Sequence, residues 1–169
     1  NRLMYMTSLM NNPPARREEV RQKIYTAWKT IYQQLGSNPE KILDDDDFLH
    51  DHSLMYFPNA IKRNLREFLF EDQFSMDRVF GNGNKIEIVE IEEYAESLNS
   101  SVSKWCNIVF SKNDSSKISS CLRRLNRIGI SYFRPMILAM LIRSGTEDDQ
   151  VNLLKAIEKY IFVFFKIGG

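Results

Sequence analysis

Along most of the chain apolar residues recur every three or four positions, the spacing of helices that bury one face. Over Arg16–Leu35 the series Val20, Ile24, Ala27, Trp28, Ile31 and Leu35 predicts a long amphipathic helix closed by Gly36. From about Glu90 to Phe110 it is Tyr94, Leu98, Val102, Trp105, Ile108 and Val109, a second long helix. Val151, Leu154, Ile157 and Ile161 mark a last one running to about Lys166. Thr146 opens it, with Asp149 three residues on, a capping box built with the shorter acid.

Shorter helical segments fill the gaps. Leu3, Met4, Met6 and Leu9 give one that breaks at Asn11–Pro14, and Asp46–Phe57 gives another, stopped by Pro58. Leu65, Phe68, Leu69 and Phe74 continue the pattern to about Ser75, and a further turn is expected at Asp77–Phe80. Gly81–Asn84 and Lys112–Ser116 read as loops, with Ser115 or Ser116 able to cap the helix that follows. Lys85–Ile91 alternates around Ile86 and Ile88, but a lone strand is only marginally stable, so extended chain leading into the helix is expected.

One stretch, Leu122–Arg143, is the expected centre of the fold. Leu122, Leu125 and Ile128 at helical spacing, with Arg123, Arg124 and Arg127 between them, form a basic amphipathic helix ended by Gly129. Pro135 suits the first helical position, and Met136–Ile142 follow without a polar residue, so that helix is expected to be buried on nearly all sides. The expected fold is all-α, a bundle of about seven or eight helices, as one domain over 1–169 or with a subdivision into 1–80 and 85–169 around the Gly81–Asn84 loop.

With 23 basic and 22 acidic residues the net charge is +1, which argues against a dedicated nucleic-acid module while leaving room for a local basic patch. Cys106 and Cys121 make no disulfide framework and lie in apolar helical surroundings, so a reducing, cytoplasmic setting is expected. The longest apolar runs fall far short of the ~20 residues a membrane-spanning helix needs, so no membrane partner is expected. There is no glycine-rich phosphate loop, no CxxC, no HExxH and no nucleophile triad, so catalysis by this chain alone is not expected and no catalytic residue is assigned.

Three stretches carry alternative readings. Asp44–His52 (DDDDFLHDH) concentrates metal-ligand types, but acids at a helix start cap orphan N–H groups and complement the macrodipole, and no metal residue is assigned. Arg123, Arg124, Arg127 and Arg134, with Tyr132 and Phe133 beside them, are candidates for contacting a phosphate backbone while the aromatics stack on bases; alternatively they are a solvated or paired face over a core. Tyr160–Phe165 (YIFVFF) is apolar on every side, so Tyr160, Phe162, Phe164 and Phe165 are either core or a contact with another domain.

Five stretches in succession resemble the α-helical middle region of the GmrSD-like family of modification-dependent (type IV) restriction endonucleases. They are NRLMYM at Asn1–Met6, AWKTIYQQLG at Ala27–Gly36, DDDFLHDHSLMYF at Asp45–Phe57, LNRIGISYFRPMILAML at Leu125–Leu141 and AIEKYIFVFFKI at Ala156–Ile167. Ser53 departs from the pattern, which has a tryptophan there. The resemblance implies an N-terminal ParB-like domain with a DGQQR-type motif linked to nucleotide hydrolysis, and often a C-terminal HNH nuclease. Neither motif occurs in this chain, which is then expected to be a helical scaffold piece of a larger, multidomain phage-defence protein. That parent would use a nucleoside triphosphate and a divalent metal, whereas no cofactor is expected here. Its implied partners are the parent's other domains and DNA. The alternatives are a self-contained DNA-binding domain using the Arg123–Arg134 face, or an unrelated helical interaction module.

Overall fold

In a computed structural model the described residues are 1–57, 59–60, 64–81, 83–111, 116–129, 131–143 and 145–167. The fold is all-α, and no strand occurs among the described residues. The helices are α1 (Arg2–Leu9), α2 (Pro14–Leu35), α3 (Asp45–Tyr56), α4 (Leu65–Glu67), α5 (Asp77–Phe80), α6 (Ile88–Phe110), α7 (Lys117–Ile128), α8 (Arg134–Ile142) and α9 (Glu147–Ile161). Two π-helical stretches, Phe68–Gln73 and Phe162–Ile167, continue α4 and α9. Pro58, Asn82, Ser144 and the expected loop at 112–115, including Ser115, lie outside the described residues.

Two compact units divide the chain, Asn1–Val102 and Ser103–Gly169. The boundary falls inside α6, whose hydrogen bonding runs unbroken past it, rather than at the Gly81–Asn84 loop. Extended chain at 85–87 leads into α6, as the weak alternation around Ile86 suggested.

In the first unit α2 buries Val20, Ile24, Ala27, Ile31 and Leu35, so the three-and-four series identifies its core stripe. Asp44 caps α3 by accepting the Asp46 N–H at 2.7 Å, which gives the acidic run a structural role. Glu92 on α6 is buried and accepts from both Arg16 and Lys23 of α2, and these donors hold its carboxyl below the usual carboxylate range. Lys23 also reaches Glu96 at 2.7 Å, so an ion-pair network ties α2 to α6. Arg78 closes the turn before α6: its guanidinium donates to the Gln73 and Asn84 carbonyls and pairs with Glu90 at 2.9 Å.

His52 occupies the middle of this unit, fully buried among the rings of Phe48, Tyr56 and Tyr94 at centroid distances of 5.8, 5.6 and 5.4 Å. Its Nε2 meets the Ser97 hydroxyl at 2.9 Å, and Nδ1 is buried with no hydrogen-bond partner among the described residues. An imidazolium needs acceptors for two N–H groups and finds one here, so burial pushes the pKa down to about 3. Ser53, beside it, is buried as well.

The second unit packs α7 against α9 through Leu122 and Leu125 on one side and Val151, Leu154, Ile157 and Ile161 on the other. Asn126 donates to the Ile108 carbonyl at 2.7 Å, satisfying an orphan acceptor at the end of α6. Ser116 caps α7, and Gly129 at φ 87° ends it in a conformation that costs glycine nothing. Thr146 and Asp149 form the expected capping box.

The structure corrects the central role expected for Met136–Ile142. Only Ile137 and Leu138 of α8 are buried, Met136 is 43% exposed, and the rest of the run is half-buried. An unbroken apolar run gives no direction in which to bury, so the sequence alone assigned it to every side. The helix that supplies most buried positions is α6, from Ile91, Tyr94, Ala95 and Leu98 to Val102, Trp105, Cys106 and Ile108.

Candidate functional site

The near-neutral net charge conceals a division. The first unit carries 12 basic and 17 acidic residues, a net −5, and the second 11 basic and 5 acidic, a net +6. Such asymmetry bears on partners more than the total does, because a ligand meets a local field. The predicted basic residues Arg123, Arg124, Arg127 and Arg134 all lie in the second unit.

Arg123 and Arg127 are exposed, four residues apart on one face of α7, and Arg123 donates to the Ser120 hydroxyl at 3.2 Å. Arg124 turns toward α9 instead. Its Nε and Nη2 donate to the two Glu158 carboxylate oxygens at 2.9 and 3.0 Å, a bidentate pair that is half-buried. Glu158 is held below the usual carboxylate range first by Arg124, with the fields of Arg127 and Lys155 adding to it. One carboxylate thus has three cations around it, and the excess positive charge faces solvent from Arg127 and Lys155. Arg134 is half-buried at the start of α8, where its Nε has no hydrogen-bond partner among the described residues.

Lys155 and Lys159 were missed in the sequence. They lie four apart on the exposed side of α9, and the signal was the polarity of that helix: Glu147, Asp148 and Asp149 in the first turn, cations in the second half. Three of the four acids of α9 lie in its first turn, away from Tyr160, and the fourth, Glu158, is the one paired with Arg124.

The aromatic candidates are at that basic end. Tyr132 is 91% exposed, and Phe133, Tyr160 and Phe164 form a connected set: Phe133 meets Tyr160 edge-on at 6.0 Å, and Tyr160 stacks on Phe164 at 4.6 Å. Phe162 (57% exposed) and Val163 are also outside the core. Two positions on from Tyr160, Phe162 does not share the face that Tyr160 and Phe164 present. The side chain of Phe165 lies outside the described residues.

The first unit offers less chemistry. Asp46, Asp47 and His50 line a groove of about 590 Å³ with Leu49, Leu65 and Phe70. Among the described residues no group of three or more His, Cys, Asp or Glu side chains converges as a metal site requires. No described helix is long and apolar enough to cross a membrane. No family model, no curated protein and no solved structure matches the chain.

Proposed function

We propose that the chain is a helical scaffold and interaction region of a GmrSD-like, modification-dependent restriction protein of phage defence, with the chemistry supplied by other domains of the parent. The observation that carries the reading is the uncovered apolar end of α9, where Phe162 and Val163 present a surface suited to another domain. The family in this reading comes from the five stretches of the sequence, which lie on α1, α2, α3, α7 with α8, and α9. Determining the coding sequence on both sides of the segment tests it. A DGQQR-type motif upstream, with or without an HNH motif downstream, is the expected result. Start and stop codons closely bracketing the segment would overturn it.

A second reading, a DNA-binding surface on the Arg123–Arg134 side, is favoured by one observation, the net +6 of the second unit. In that reading Arg123 and Arg127 face the phosphates, Arg124 holds α7 to α9 through Glu158, and Lys155 and Lys159 extend the positive surface.

A further inference from the structure

We infer that the second unit binds single-stranded nucleic acid, with bases stacking on the exposed rings of Phe164 and Tyr132 while Arg127, Lys155 and Lys159 neutralise phosphates. The inference rests on the second reading above and goes beyond it, because it names the strandedness of the ligand.

Two independent features point the same way. The first is charge: the one acid of α9 outside its first turn is Glu158, engaged by Arg124 and surrounded by further cations. Past that first turn the exposed ionic groups of α9 are basic, so a polyanion reaching this end meets no uncompensated carboxylate on the helix. The second is aromatic surface. Phe164 stacks on Tyr160 through one face and is still 63% exposed, and Tyr132 exposes nearly its whole side chain, so these two rings present aromatic surface to a flat partner. Paired bases hide their faces inside the duplex and offer only edges and backbone. Unpaired bases bring faces that stack on such rings whatever their sequence.

The helical spacing brings the two features together. Lys155 and Lys159 follow one line of α9, and Tyr160, next to Lys159, begins the line that leads to Phe164. A strand whose backbone tracks the lysines can therefore place its bases over the rings. The occupant that fits both is a flexible polyanion with exposed flat faces.

The test is fluorescence anisotropy on the whole chain, with a labelled oligodeoxythymidine of about 20 nucleotides and a duplex of the same length. The single strand is expected to bind more tightly than the duplex. Its affinity should fall roughly 20- to 50-fold between about 50 and 200 mM salt, the loss for three or four neutralised phosphates on a single strand. Phe164→Ala should weaken the single strand roughly tenfold and leave the duplex unchanged, while Phe164→Trp restores it. Arg127→Glu with Lys155→Glu should abolish both, with circular dichroism verifying that the helices persist. Equal binding of both probes, unaffected by Phe164→Ala, would overturn the inference and leave the DNA-binding reading standing. Binding of neither probe at about 50 mM salt would overturn both.

Discussion

Replacing Trp105 with alanine is expected to destabilise the protein by about 3–5 kcal/mol. Trp105 is 1% exposed and is among the largest fully buried side chains, at the point where α6 enters the second unit. Truncation there removes the transfer free energy of the ring and leaves a cavity that the surrounding helices can only partly fill. Against a total stability of roughly 5–15 kcal/mol, that is a large share. Urea unfolding followed by the helical circular-dichroism signal measures it, and Trp105→Phe should lose less than the alanine variant. A loss below about 1 kcal/mol in Trp105→Ala would mean that the site is loosely packed.

Mild acidification is expected to weaken the fold through His52. The sign follows from the two states: folded, the ring's pKa is pushed down to about 3, whereas unfolded it returns to the ordinary value near 6.5. Between those values the unfolded chain binds a proton that the folded chain refuses, so stability is full above about pH 6.5 and falls as pH is lowered toward 3. From about pH 6.5 to 5 the loss from this one group is about 2 kcal/mol. Carboxylates held low, such as Glu92 and Glu158, add their own losses at more acidic pH, which makes the upper window diagnostic for the histidine. His52→Leu, apolar like the Phe48, Tyr56 and Tyr94 cage, should flatten stability across that window. A wild-type protein with unchanged stability from pH 6.5 to 5, or a His52→Leu variant that keeps the slope, would contradict the buried neutral imidazole.

What could be read in the sequence follows from which signals are local. The stripe of α2, the caps at Asp44 and Thr146 and the Gly129 stop each depend on residues a few positions apart, so their physics is visible in the chain. His52 was hidden by composition, because DDDDFLHDH looks like a solvated run. Its only clue was Phe48 four residues earlier on the same face. The π-helical stretches after α4 and α9 follow helical spacing too closely to be told from α-helix. The basic face was legible as α7 alone, since its continuation through Lys155 and Lys159 depends on the packing of α7 against α9. Summing charge over the whole chain hid the rest, because −5 and +6 nearly cancel.

The scaffold reading turns on whether the uncovered end of α9 is a contact. Amide hydrogen exchange over Phe162–Ile167 and α8 measures that directly when this chain is compared with the longer protein that the scaffold reading requires. Exchange there is expected to slow in that longer protein, while the buried stripe of α2 is unchanged. Equal exchange of the α9 end in both would contradict an interdomain role for Phe162 and Val163.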